Sequence, residues 1–161
     1  MKILIAEDSE SSRVLLETVL TTEGYEVVAF ENGLQALAYL QTQIVDLIVS
    51  GILMSEMDGY CLCKAVKQNL NLQNIPFIFY TATYTSPQDE RFALSLGATK
   101  FLVKPMASLD LLKVVADVIN SHEKADAPRS RGLYQGSPLK LDKQDADQCV
   151  QPWQWHVLNA V

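Results

Sequence analysis

The sequence contains no apolar run close to the roughly 18 residues that a membrane-spanning helix needs. It also shows no secretory leader, because Met1 and Lys2 are followed directly by a short apolar segment that ends in Glu7 and Asp8, without a small-residue cleavage site. Only three cysteines are present, which do not make a closed disulfide framework. We therefore expect a cytoplasmic protein in a reducing compartment.

Basic residues are too few for a nucleic-acid-binding surface. The net charge is -6, and residues 1–120 hold 8 basic against 14 acidic side chains without a basic stripe. Direct nucleic-acid binding is therefore not expected, and a protein partner is favoured. A zinc site is not expected either, because Cys61 and Cys63 would point about 200° apart on a helix and only two histidines are available.

Residues 1–120 alternate between short apolar segments and amphipathic segments. The predicted strands cover about 2–6, 26–30, 46–50, 76–82 and 99–103, and the predicted helices cover about 11–23, 32–40, 59–69, 86–97 and 108–120. Capping residues are expected at Asn32, Asp58, Ser86 and Ser108. This pattern predicts a single doubly wound α/β layer with five parallel strands and helices on both faces. The strand order does not follow from the pattern alone.

Apolar spacing also predicts which face of each helix turns inward. The residues expected to face the core are Val14, Leu15, Val19 and Leu20 in the first helix, Leu34, Leu37, Ala38 and Leu40 in the second, and Leu109, Leu112, Val115, Ala116 and Ile119 in the last.

The segment from Asp46 to Gly59 is the centre of the predicted site. Its apolar start predicts a buried strand, and Asp58 followed by Gly59 predicts the turn into a helix. In an open parallel sheet the ligand crevice lies beyond the carboxyl ends of the strands, so residues 51–58 are expected there. The residue that directly follows this strand is Gly51, which offers no side chain for chemistry.

This segment resembles the loop of receiver (CheY-like) domains of two-component response regulators. The family pattern is Asp-x-x-Met-Pro-x-Met-Asp-Gly, and its first Asp accepts a phosphoryl group. The matching residues here are Met54, Met57, Asp58 and Gly59, whereas Gly51 replaces the phosphoacceptor and Ser55 replaces the proline. The resemblance implies the flavodoxin-like strand order 2-1-3-4-5. It also implies that the phosphoacceptor position is degenerate.

The resemblance assigns further site residues. Glu7 and Asp8 match the acidic pair that holds Mg²⁺, and Thr81 matches the hydroxyl residue that binds a phosphoryl oxygen. Lys104 matches the lysine that pairs with the site acids and precedes a cis proline, and Phe101 matches an aromatic switch residue that acts with Thr81. Because position 51 lacks an anionic ligand, Mg²⁺ binding is expected to be weak. From the residues alone, Glu7 and Asp8 could equally cap a helix, and Phe101 could be a core residue.

The expected function is a two-component signalling module that acts through protein contacts, as a pseudo-receiver without enzymatic activity. Its expected partners are a histidine kinase or an output domain, with a possible homodimer through about 88–120. The alternative is an ordinary phospho-accepting regulator whose Asp at position 51 was changed, and which would otherwise catalyse its own Mg²⁺-dependent phosphorylation. A flavin-binding protein of the same fold is disfavoured, because Glu7 and Asp8 would repel a flavin phosphate.

The sequence changes character after residue 120. Residues 121–161 lack periodicity at first, which predicts a linker and a C-terminal extension. The extension ends in an apolar and aromatic segment that begins at Trp153. Two interpretations stay open: this segment packs on the domain or on a partner, or it begins an output domain.

Overall fold

Five short apolar segments form one parallel sheet in the computed structural model, which describes residues 1–125 of the chain. The strands are β1 (Lys2–Ala6), β2 (Glu26–Phe30), β3 (Leu47–Ser50), β4 (Phe77–Thr81) and β5 (Lys100–Val103). Their order across the sheet is β2-β1-β3-β4-β5, and each neighbouring pair is parallel. The predicted flavodoxin-like order is therefore confirmed. It brings the ends of β1 and β3 together at the point where the chain order reverses.

Five helices connect or follow the strands, largely where the capping residues predict them. They are α1 (Glu10–Thr22), α2 (Gly33–Leu40), α3 (Gly59–Gln68), α4 (Pro87–Ser95) and α5 (Ser108–Ala125). The side chains of Asn32, Asp58 and Ser86 accept hydrogen bonds from backbone amides in the first turns of α2, α3 and α4. Ser108 is not a cap as predicted, because it lies within α5, and the first turn bonds instead to the Ala107 carbonyl.

The sheet is covered on both faces, which explains why its central strands are apolar throughout. On one face, α2, α3 and α4 pack against alternate strand residues such as Leu4, Ile48, Phe77 and Phe79. On the other face, α1 and α5 pack against Ile3, Ile5, Val49 and Ile78, among others.

Several predicted helix faces are rotated from the observed ones. In α1, Leu16 and Leu20 are buried, whereas Val14 and Leu15 are exposed. Leu34 and Ala38 of α2 are likewise exposed, and Ala36 is buried in their place. In α5, Leu109 is 71% exposed, and Leu111 and Val118 face the core. These helices carry more apolar residues than one face can bury, so their spacing alone does not fix the rotation of the helix about its axis.

The last helix extends beyond the position predicted for the end of the domain. α5 continues through Ala125, so residues 121–125 are helical and not linker. The predictions for the rest of the C-terminal extension, including the segment from Trp153, lie outside the described residues. Within residues 1–125, no helix combines the length and the apolar character needed to span a bilayer.

Tyr60 carries a polar atom into the core between α3, α4 and β4. Its ring contacts Phe79 and Phe92, with centroids 5.5 and 4.9 Å apart. The Tyr60 hydroxyl is buried without a hydrogen-bond partner. Burial, followed by the nearby charges of Asp89 and Asp58, raises the pKa of Tyr60 above its usual value of 10. The phenol therefore stays neutral in the folded protein.

We expect Tyr60→Phe to increase the free energy of unfolding at pH 7 by about 1 kcal/mol, because it removes a buried hydroxyl that has no partner. Above pH 10 the unfolded chain ionises Tyr60 and the folded chain does not, so the native protein loses stability there. The variant should lose less stability as the pH rises through this range. Urea unfolding at pH 7 and above pH 10 measures both effects.

The variant Tyr25→Phe, at a half-buried position, serves as the control at pH 7. A Tyr60→Phe variant that is less stable than the native protein at pH 7 would contradict the conclusion that the Tyr60 hydroxyl has no partner.

Candidate functional site

The predicted site residues meet at the carboxyl edge of the sheet. The amide of Gly51, directly after β3, donates to the carbonyl of Ala6 at the end of β1 at 2.8 Å. On the other side, the amide of Lys104 after β5 donates to the carbonyl of Thr81 at the end of β4, also at 2.8 Å. The sheet thus gathers four strand ends around one crevice, as expected for an open parallel sheet.

The loop from β3 to α3 is held close to the end of β3. The amide of Gly59 donates to the carbonyl of Ile52 at 2.8 Å, and a Cβ atom on Gly59 would lie 1.9 Å from the carbonyl oxygen of Gly51. Only glycine fits at position 59 without moving this backbone. Within the loop, Glu56 has a positive φ of 63°, and the amide of Met57 bonds back to the carbonyl of Ser55. Residues 55–57 thus form a three-residue turn.

Gly51 is buried and faces the carboxylate of Glu7. A Cβ atom on Gly51 would lie 3.3 Å from Oε2 of Glu7, closer than an ordinary van der Waals contact. The neighbouring hydroxyl of Ser50 donates to the Gly51 carbonyl at 2.7 Å. Position 51 therefore supplies no nucleophile, and the nearby carboxylate belongs to Glu7, the residue that directly follows β1.

Glu7 and Lys104 form a buried ion pair beside Gly51. The Lys104 Nζ atom lies 2.5 Å from Oε2 of Glu7, and the two side chains are only 17% and 6% exposed, respectively. The other carboxylate oxygen of Glu7 accepts a hydrogen bond from the amide of Ser9 at 3.2 Å. Both oxygens of Glu7 are therefore engaged, one of them by a cation.

Two further residues support this pair, and sequence analysis missed both. Arg13 of α1 donates to the backbone carbonyl of Glu7 at 2.7 Å and to that of Asp8 at 3.4 Å. The ring centroid of Tyr80 lies 5.2 Å from Nζ of Lys104, a distance at which a cation and an aromatic face attract. Arg13 follows Glu7 by six residues, and no sequence motif marks that spacing.

The remaining site residues take separate positions around the crevice. Asp8 is exposed, so its carboxylate is open to solvent. Thr81 is buried, and its hydroxyl donates to the carbonyl of Thr83 at 2.7 Å, within its own loop. Phe101 is half-buried, with its ring centroid 6.3 Å from that of Phe79, and packs against the core. The Lys104–Pro105 peptide bond is cis, as the resemblance implies.

The side chains present do not fit a divalent cation well in this arrangement. Mg²⁺ prefers several carboxylate or carbonyl oxygens in near-octahedral geometry. Glu7 is already paired with Lys104, which leaves Asp8 as the exposed carboxylate of the predicted acidic pair. Across residues 1–125, no three His, Cys, Asp or Glu side chains are grouped so that they could hold a metal ion.

We expect the Glu7–Lys104 pair to contribute strongly to stability, because removing either partner leaves the other buried without its counter-charge. Lys104→Met should lower the free energy of unfolding by about 3 kcal/mol. A double-mutant cycle with Glu7→Gln should give a coupling energy of about 1–3 kcal/mol, measured by urea unfolding.

The exposed pair Asp110 and Lys113, whose charged atoms lie 3.9 Å apart, is the control for this cycle. Its coupling should be several times smaller because both side chains are solvated. Equal coupling energies for the two pairs would contradict the buried-pair interpretation.

Comparison with known families identifies the same region of the chain. The family described as response regulator receiver domain matches residues 3–116. A curated relative, the response regulator PleD of Caulobacter vibrioides, is 32% identical over 150 residues. That alignment covers 88% of this chain and 32% of PleD, so the chain spans about a third of the length of this relative.

Solved structures give a similar result. The receiver domain of a signal transduction histidine kinase from Syntrophus aciditrophicus is 33% identical, with a TM-score of 0.72 and coverage of 83% of this chain and 96% of that one. The receiver domain of the sensor histidine kinase PA1611 from Pseudomonas aeruginosa is 26% identical, with a TM-score of 0.68 and coverage of 74% and 97%. The latter structure has a magnesium ion coordinated in its active-site cleft.

Proposed function

The chain belongs to the response regulator receiver family, and from this premise we propose that it is a pseudo-receiver, a two-component signalling module that acts through protein contacts without being phosphorylated. The main support for this proposal is Gly51. Gly51 directly follows β3, and by the resemblance it takes the place of the family's phosphoacceptor. It has neither a nucleophile nor a charge. The nearest carboxylate, that of Glu7, is buried and paired with Lys104.

The chemistry of phosphoryl transfer supports the same conclusion. Transfer requires an in-line nucleophile, a divalent cation and donors that hold the phosphoryl oxygens. Thr81 and Lys104 remain as potential donors at the crevice, and Glu7 and Asp8 remain as a weak Mg²⁺ site at most. Because position 51 supplies no nucleophile, we propose that the protein does not catalyse its own phosphorylation. In the proposed pseudo-receiver no phosphoryl group couples Phe101 to Thr81, the two residues that the resemblance assigns to the switch.

We propose that the contact surface is formed by α4, β5 and α5, at about residues 88–120. Within residues 1–125, β5 is an edge strand that pairs with β4 alone. Leu94 on α4 and Val103 on β5 are large apolar residues that are 42% and 43% exposed. The partner is a histidine kinase, an output domain or a second copy of this chain, in the cytoplasm. The acidic charge of residues 1–120 argues against direct nucleic-acid binding.

A second candidate function is favoured by the residues that remain. The resemblance assigns Lys104 and Thr81 to the positions that a phospho-accepting receiver uses, and two features support this: the cis bond to Pro105 and the burial of Thr81. If Gly51 is a change in an otherwise complete site, restoring the acid would restore phosphorylation. Ser55, a second departure from the family loop, favours the pseudo-receiver instead.

The proposal predicts that the native chain gains no phosphoryl adduct when it is incubated with acetyl phosphate and Mg²⁺. Intact-mass analysis measures this directly, because an acyl phosphate adds a fixed mass and is lost in base. The Gly51→Asp variant, treated in parallel, tests whether the rest of the site is complete.

Ser55→Asp is a matched control, since it places the same acid at an exposed position of the same loop. An adduct on Gly51→Asp alone would show that Gly51 is what prevents phosphorylation of this site. Without an adduct on any variant, the crevice would have diverged further and the pseudo-receiver would still stand. An adduct on the native chain would contradict the proposed function.

A further inference from the structure

The carboxylate of Glu7 lies where an acid at position 51 would have to place its own. Oε2 of Glu7 is 3.3 Å from the site of a Cβ atom on Gly51, and its carboxyl carbon is 3.7 Å away. The carboxyl group of an aspartate begins one bond beyond its Cβ atom. An acid at position 51 and Glu7 in its present conformation would therefore compete for the same space and for the same cation.

That cation is the ammonium group of Lys104. It reaches Glu7 from the loop after β5, although β3 and β4 lie between β1 and β5 in the sheet. The two side chains meet beside Gly51, where the missing side chain leaves room. The ammonium also lies 5.2 Å from the centroid of the Tyr80 ring, so both the Glu7 carboxylate and the aromatic ring attract it.

We infer that Glu7 has taken over the anionic role of the acid that position 51 lacks, and that the Lys104 ammonium is the permanent cation of the crevice. A divalent ion can then bind Glu7 and Asp8 only after displacing this ammonium. The poor fit of the crevice to Mg²⁺ follows from this internal competitor. The inference deepens the proposed function and rests on it in one respect, the lack of an acid at position 51.

The inference is tested most directly at Lys104. Removing a neutral residue from a metal crevice would leave metal binding unchanged or weaken it, whereas Lys104 carries the charge that competes with the metal ion for Glu7. Here Lys104→Met should strengthen it, because the carboxylate of Glu7 becomes available beside Asp8. Gly51→Asp should also strengthen it, because the new carboxylate both competes for Lys104 and adds an oxygen ligand.

The test is a Mn²⁺ titration of the full chain, in which free Mn²⁺ is measured by electron paramagnetic resonance. Mn²⁺ is used because it takes the same oxygen ligands as Mg²⁺. Lys104→Met should bind Mn²⁺ at least tenfold more tightly than the native chain. Lys100→Met is the matched control, because Lys100 is exposed on β5 and its loss changes the net charge equally. This control should bind like the native chain.

Two further variants locate the ion and guard against misfolding. Adding Asp8→Asn to Lys104→Met should abolish the gain, which places the ion in this crevice. If circular dichroism shows that Lys104→Met does not fold, Lys104→Gln provides the same comparison, because it also removes the ammonium charge and adds no carboxylate ligand. Equal affinity of the native chain and a folded Lys104→Met variant would overturn the inference, as would a gain that survives Asp8→Asn. The titration contains no phosphodonor, so a negative result would overturn the role of Lys104 as a competitor and leave the proposed function untouched. An adduct in the mass analysis would contradict the proposed function, whatever the titration shows.

Discussion

The crevice depends on one interaction, the buried ion pair between Glu7 and Lys104. It joins the end of the interior strand β1 to the loop after the edge strand β5, and it passes over the end of β3, where Gly51 has no side chain. A buried carboxylate without a cation would be costly, and so would a buried ammonium without an anion. Each group therefore fixes the other. Arg13 reinforces this arrangement by holding the backbone carbonyls of Glu7 and Asp8.

The crevice also rests on contacts that leave the loop from β3 to α3 little freedom. Gly59 packs against the carbonyl of Gly51, and Asp58 caps α3 through the amide of Cys61. On the other side of the loop, the amide of Gly33 at the start of α2 bonds to the carbonyl of Met57. The loop is thus held by helix starts on both sides, independently of what occupies position 51. This explains how the loop keeps its conformation although Gly51 contributes no side chain to it.

Local features were predictable from the sequence because they depend on neighbouring residues. The strands follow from apolar runs, and the caps at Asn32, Asp58 and Ser86 follow from side chains that reach amides three residues away. The resemblance implied that Glu7, Thr81 and Lys104 meet at one crevice and that Lys104 pairs with a site acid. The residues alone did not give this pairing, because Glu7 and Lys104 are 97 positions apart in the sequence. The hydrogen bonds from Thr81 to the Thr83 carbonyl and from Arg13 to the Glu7 carbonyl were not predicted. The inward faces of the helices were likewise undetermined, since packing against the sheet selects among several apolar residues.

The central claim is that this crevice is closed by its own ion pair and does not respond to a phosphoryl group. The most direct measurement is a comparison of ¹H–¹⁵N NMR spectra of the full chain before and after addition of Mg²⁺ and beryllofluoride, which mimics a phosphoryl group on an aspartate. The account predicts unchanged signals for the amides of Gly51, Thr81, Ala82 and Lys104. A second set of signals for these residues, growing as beryllofluoride is added, would contradict it.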